Sequence, residues 1–202
     1  GPRNLAHALD WAADSRAAGT GVTVTFDGSI WPAAGLRKTE TLASGAFAAP
    51  GRGALGRAGE AGIQLFAMPV RPPALLDPHE VRELPRVDVV PLYLGCGPDA
   101  LDAVVAGGAR GIVLAAFGAG NATPAIVDRV GALIAQGITV AVASRTGSGP
   151  VAALYTGGGG ADLERAGAVF GGDLSAWQLR LLVAACLRRA EEQGKAVSVL
   201  RE

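Results

Sequence analysis

Apolar and polar positions follow different rhythms along this chain, and the rhythm changes near residue 86. Leu5, Ala8, Leu9, Trp11 and Ala12 fall at helical spacing, which predicts a helix over Asn4–Ala18 with Gly19 as its stop. Gly21-Val-Thr-Val-Thr-Phe26 then alternates as a half-buried strand. Asp27-Gly28 is a turn dipeptide, and Ser29–Pro32 begins the return strand. Ala33–Gly59 reads as loop, rich in Gly, Ala and Pro, and Ile63–Met68 as another strand. Pro69–Pro85 holds five of the twelve prolines and little periodicity, which marks a linker.

Beyond the linker, near-continuous apolar runs alternate with helical patterns. Strands are expected at Val87–Leu94, Gly111–Phe117, Ile138–Ala143 and Ala168–Phe170. The intervening and closing helices are expected at Pro98–Ala106, Pro124–Gln136, Ala161–Ala166 and Ser175–Gln193. Val/Ile/Leu/Ala strands between helices imply a parallel sheet covered on both faces.

Composition narrows the classes of function. Half of the 202 residues are hydrophobic, and 18 Lys+Arg balance 18 Asp+Glu, so the chain has a core to bury and no net charge. That neutrality argues against nucleic acid or an anionic membrane as a partner, since each selects a basic surface. No apolar run approaches ~18 residues, the length a bilayer span needs. Cys96 and Cys186 sit in apolar segments without ligands at metal spacing, and His7 and His79 are isolated. Buried free thiols, structural histidines, no metal and no cofactor are therefore expected. With Gly1-Pro2 at its start and its one methionine at Met68, the chain reads as a processed product, a fragment or a trimmed piece.

Few residues carry chemistry. Ligands of parallel sheets sit outside the carboxyl ends of the strands, and two loops leave those ends. Gly118–Pro124 contributes Asn121, with Thr123 as N-cap and Pro124 at the first helical position. Ser144–Gly149 contributes Ser144. Tyr155-Thr-Gly-Gly-Gly-Gly160 lacks the Gly-Lys-Ser/Thr of a phosphate loop and is expected to be a flexible surface loop. Lys38 stands out because Lys195 is the only other lysine. A lysine acts as a base once its surroundings lower its pKa, whereas arginine stays charged. The residues alone leave an exposed loop lysine and a proton-handling one both open.

Taken in order, several segments resemble the bacterial-type L-asparaginases. Gly1-Pro2-Arg3-Asn4-Leu5 resembles that family's Asp-Gly-Pro-x-Asn-Leu, and Gly21–Ile30 its Gly-Val-x-Val hairpin. Lys38-Thr39-x-Thr41 with Phe47 and Gly53-x-Leu55-Gly56 is similar to its Lys-Thr-x-Thr stretch. Gly111-Ile-Val with Gly118-x-Gly120-Asn121, Ala143-Ser144-Arg145 and Gly172-Asp173-Leu174 resemble three motifs further along. The resemblance implies an α/β chain in three parts. Residues 1–70 would be the carboxy-terminal part of a larger α/β domain and 71–86 the linker. Residues 87–202 would form a smaller three-layer, flavodoxin-like parallel-sheet domain.

It also implies an amidohydrolase of asparagine-like substrates that assembles as dimers or tetramers, and a cytoplasmic location is separately expected. Lys38 falls at the family's catalytic lysine. Asn121 falls at an asparagine that reaches a neighbouring subunit's substrate site. The family's threonine nucleophile and its Thr-Asp pair belong to segments ahead of this stretch. The resemblance therefore implies a complementary asparaginase-like N-terminal chain or subunit, without which residues 1–68 would expose an apolar face. Arg37, where the family usually has Thr, and Glu40 beside Lys38 depart from its pattern. They leave open a repurposed or non-catalytic subunit in a heteromeric complex doing related amide, lactam or lactone chemistry. A stand-alone small-molecule binding domain is the third reading.

Overall fold

The computed structural model describes residues 1–77, 79 and 83–193 and divides into two compact units, Gly1–Pro73 and Ala74–Glu202. Parts of the expected linker (78 and 80–82) and of the expected second domain (194–202) lie outside the described residues.

In the first unit, helix α1 (Pro2–Ala13) is followed by a 3-10 turn over Ser15–Ala17. The expected Asn4–Ala18 helix thus starts earlier and stops sooner. The Asp14 side chain accepts the Arg16 backbone N–H at 2.9 Å, an N-cap that opens a tighter turn in place of a fourth helical one. Strands β1 (Thr23–Phe26) and β2 (Ser29–Pro32) form the expected hairpin around Asp27-Gly28, where both residues adopt positive φ.

Two short strands, β3 (Arg37–Lys38) and β4 (Phe47–Ala48), pair with each other. Strand β5 (Gly56–Gly59) and strand β6 (Gly62–Leu65) complete an antiparallel sheet in the order β1-β2-β5-β6. The segment Ala33–Gly59 is therefore not all loop. Glycine at both ends of β5 hides its strand character. At Gly56 a Cβ would lie 2.4 Å from the Gln64 carbonyl, so glycine is what lets β5 and β6 approach. Trp11, Ile30, Leu55 and Ala58 form the core between α1 and the sheet, and the Trp11 indole donates to Thr23 Oγ1 at 3.0 Å.

The second unit is a parallel sheet between two helical layers. Its elements are β7 (Val87–Pro91), α2 (Asp99–Ala106), β8 (Gly111–Ala116), α3 (Pro124–Ala135), β9 (Thr139–Ser144), α4 (Gly160–Arg165), β10 (Val169–Phe170) and α5 (Ala176–Gln193). Strand order runs β10-β9-β8-β7, and every pairing is parallel. Because each crossover steps the same way and such crossovers are right-handed, α2, α3 and α4 share one face. Leu101, Ile126, Val130, Leu133 and Leu163 pack there on Ile112, Leu114, Val140 and Val142.

The opposite face needs its own cover, and α5 supplies it. Leu179, Val183, Ala184 and Leu187 lie on Val87, Val113, Ala115, Ala141 and Ala143. All six residues of β8 are buried, as a central strand with two covered faces requires.

Candidate functional site

In the first unit, Lys38 lies on β3 opposite Phe47 of β4, with the Thr39 N–H bonded to the Ala46 carbonyl at 2.8 Å. The Phe47 ring packs edge-on against Phe26 with centroids 5.1 Å apart. Thr23 and Thr25 face Trp11 and α1, so the alternation of β1 places Phe26 on the other face of the sheet. The β3–β4 ribbon carrying Lys38 is thereby held on the face away from α1. Asn4 ties the helix to the hairpin tip, accepting the Asp27 N–H at 3.1 Å. Lys38, Thr39, Glu40 and Thr41 are all exposed.

In the second unit, the carboxyl ends of β8 and β9 meet in a dense hydrogen-bond cluster. Ser144 Oγ donates to the Gly118 carbonyl at 2.5 Å and lies 2.5 Å from Thr146 Oγ1. Arg145 stacks 4.4 Å over the Phe117 ring and donates to the Leu92 carbonyl at 2.9 Å, which joins the ends of β7, β8 and β9. Asn121 sits in a tight turn that exchanges backbone hydrogen bonds with Phe117. Its Oδ1 accepts the Gly160 N–H at 3.2 Å.

The tract expected as a surface loop is exposed only in its first half, Tyr155–Gly157. Gly158, Gly159 and Gly160 are buried. A Cβ on Gly159 would stand 2.2 Å from the Tyr155 carbonyl, and one on Gly158 2.8 Å from Pro124. The run of glycines serves close backbone packing, a use that composition cannot distinguish from flexibility. Nor is it an open anion cradle. Its amides are spent on Asn121 and on Asp162, whose Oδ2 accepts the Gly158 N–H at 2.8 Å. That bond, with further help from Arg165, holds the Asp162 carboxyl below its ordinary pKa.

Asp162 and the stacked Arg145 were not singled out from sequence. The available signal for Asp162 was an acid in the first turn of a helix that follows a glycine run. His7 is half-buried in α1, and His79 is exposed with its backbone N–H on Asp77. Cys186 is buried and Cys96 half-buried, and both are free. Among the described residues no His/Cys/Asp/Glu group suits a metal ion, and no helix is long and apolar enough to cross a membrane.

Lys38 belongs to the first unit, and Asn121 and Ser144 to the second. No one unit gathers the expected site residues. Lys38 stands beside threonines on an exposed ribbon, while Asn121 and Ser144 are built into the turn network at the sheet end.

Comparison with known proteins bears on both units. Residues 86–199 match the model of the Glutaminase/Asparaginase C-terminal domain, and residues 1–71 match that of the N-terminal asparaginase domain. A probable L-asparaginase of Deinococcus radiodurans is 34% identical over 188 residues, covering 91% of this chain and 56% of the relative. The probable periplasmic L-asparaginase of Haemophilus influenzae is 28% identical over 195 residues, covering 95% and 55%. L-asparaginase 2 of Escherichia coli is 28% identical, with 100% and 58% covered.

Among solved structures, the probable cytoplasmic L-asparaginase of Campylobacter jejuni superposes with a TM-score of 0.83 at 29% identity. It is matched over 93% of this chain and 57% of its own. The chain thus spans between 55% and 58% of the length of these relatives. With both domain models matched in order, and a relative's fold superposing across both units, the chain belongs to the glutaminase/asparaginase family.

Proposed function

We propose that these 202 residues form part of an asparaginase-type amidohydrolase whose threonine nucleophile lies outside them, on a complementary N-terminal portion. The observation that carries this reading is the ordered match of both domain models, together with a coverage of under three-fifths of each relative. Lys38 takes the role of proton handler in the threonine's relay. Its exposed position on the β3–β4 ribbon, beside the exposed Thr39 and Thr41, leaves it accessible to such a portion. The substrate class is a side-chain amide such as asparagine, and the assembled unit is a dimer or tetramer. Relatives are named from both cytoplasm and periplasm, so the expected cytoplasmic location finds support in only some of them.

The test is ammonia release from asparagine and glutamine by the chain alone and with its complementary portion. Turnover is expected only in the complemented unit, and substantial turnover by the isolated chain would sink the placement of the nucleophile. In the complemented unit, Lys38→Ala lowers kcat by about 10²–10⁴-fold, the range for loss of a general acid–base group.

One observation favours the second reading, an assembly subunit without a catalytic role. Asn121 Oδ1 is committed to the Gly160 N–H, which gives that side chain a scaffolding task. Full activity of a complemented Lys38→Ala variant would select this reading over the first.

A further inference from the structure

Asn121 stands at the carboxyl end of β8, an interior strand of the parallel sheet, where ligands of such sheets bind. A tight turn fixes its backbone, whose N–H and C=O both bond to Phe117 at 2.9 Å. Gly120, at φ 113°, lies so close to the sheet that a Cβ would stand 3.2 Å from both Val142 and Phe170. The half-buried Asn121 side chain is held at one end only. Its Oδ1 accepts the Gly160 N–H at 3.2 Å, and no described residue accepts from its Nδ2. A backbone N–H donates and cannot accept, so this one bond decides which end of the carboxamide faces the glycine tract. It leaves the NH2 group as an oriented donor.

The N–H that orients Asn121 belongs to a segment with little stiffness of its own. Residues 157–160 are all glycine, and Gly157 and Gly158 adopt φ of 72° and 99°. Glycine loses more conformational freedom on ordering than any other residue, so such a tract keeps one shape only through bonds to its surroundings. Gly158 is tied twice. Its carbonyl accepts the Ala122 N–H at 2.8 Å, and its N–H donates to Asp162 Oδ2 at 2.8 Å. The second bond has an ionised acceptor and is the stronger of the two. Asp162 is itself placed by α4, whose Leu163 is buried in the core with α3.

Resting on the reading above and deepening it, we propose that Asp162 is a positioning residue for the substrate. By clamping Gly158 it fixes the Gly160 N–H, which turns the Asn121 carboxamide so that its NH2 meets a substrate oxygen. What Asn121 presents is a donor, so its counterpart is a carboxylate or carbonyl oxygen of an amino-acid amide and not the ammonium group. Asp162 acts through Asn121 and touches no substrate.

The experiment measures asparagine hydrolysis by the complemented unit, at a temperature where circular dichroism shows every variant folded. Asp162→Ala is expected to raise KM for asparagine about tenfold, as for one lost hydrogen bond, with kcat within about twofold of the parent. Asp162→Asn keeps an acceptor for Gly158 and should return KM to within about threefold. Arg165→Ala removes the ion pair to Asp162 at 2.8 Å, spares the clamp and should leave both constants unchanged. In an Asn121→Ala background, Asp162→Ala should raise KM no further, because its effect passes through that side chain.

Loss of kcat at constant KM, or additive effects in the double variant, would mean a structural role only and overturn the proposal. Asn121→Asp tests the polarity, since it keeps an acceptor for Gly160 and replaces the donor by a second acceptor. KM should rise at least as far as with Asn121→Ala, and a KM at or below the parent's would overturn the assignment of a donor. Should Asp162→Ala not fold, Asp162→Ser, too short to reach Gly158, carries the same expectation, and the Asn121→Asp result stands independently. A complemented parent without hydrolysis removes the functional reading and this proposal together. Hydrolysis with a KM indifferent to Asp162→Ala removes this proposal alone.

Discussion

Single side chains decide how the sheet end of the second unit is built. Asp162 is held ionised by the Gly158 N–H and, more weakly, by Arg165, so its folded pKa lies below the unfolded value. A depressed carboxyl contributes stability that is fully present above its unfolded pKa of about 3.9 and lost as pH falls through the folded value. Asp162→Asn should therefore lower Tm at pH 7, and the gap to the parent should close in acid, as thermal melts at several pH values would read out. An unchanged gap at low pH would mean that charge has no part in it. Asp14 behaves alike: hydrogen bonding from the Arg16 side chain lowers its pKa to about 2.

The glycine tract gives a harder test. Because a Cβ on Gly159 would meet a backbone carbonyl at 2.2 Å, Gly159→Ala forces the loop apart. A loss of about 1–3 kcal/mol is expected by denaturant titration, the range for overpacking. A neutral result would show that the loop gives way freely, contrary to its burial.

At the scale of elements, α5 is the sole cover of one sheet face among the described residues. Leu179 is 2% exposed and lies on the strands with Val183 and Leu187. Leu179→Ala should cost about 2–5 kcal/mol, since the rigid sheet beneath cannot follow the smaller side chain. An unfolding free energy within about 0.5 kcal/mol of the parent would contradict that packing. Elements also show where reading from sequence worked. The strands of the second unit were legible because burial on both faces leaves long Val/Ile/Leu runs, as in Ile112–Leu114 and Val140–Val142. Strand β5 was not, because Gly56-Arg-Ala-Gly59 has no intrinsic preference for a strand and gains one only by lying between β2 and β6. The candidate site was half legible. Rarity drew attention to Lys38 and loop position to Asn121, but nothing local in sequence announces that Arg145 will stack on Phe117.

The whole molecule is two units of unequal core. The first is held by Trp11, Ile30, Leu55 and Ala58, with large apolar side chains such as Leu5, Leu9, Phe66 and Met68 left exposed. The second has a full apolar cluster on each face of its sheet. Local opening follows buried apolar contact, so the first unit should open at lower denaturant than the second. Native-state hydrogen exchange would check this, with α1 and β1–β6 amides exchanging before those of β8 and β9. The reverse order would show that the first unit is stabilised by more than its visible core.

Periodicity and composition by themselves determined a neutral α/β chain, a parallel sheet covered on both faces after residue 86 and the Asp27-Gly28 hairpin, while ordered motifs carried the family resemblance. These are local properties: the spacing of apolar residues and the choice of turn residue are written over a few consecutive positions. Only the tertiary structure decided that Gly158, Gly159 and Gly160 are packed in rather than exposed. It also decided that β5 is a strand and that Asn121 and Asp162 consume the loop's amides. Each of those depends on which distant backbone lies within a few ångströms, and a residue's own sequence neighbourhood does not encode the partner it will meet across the fold.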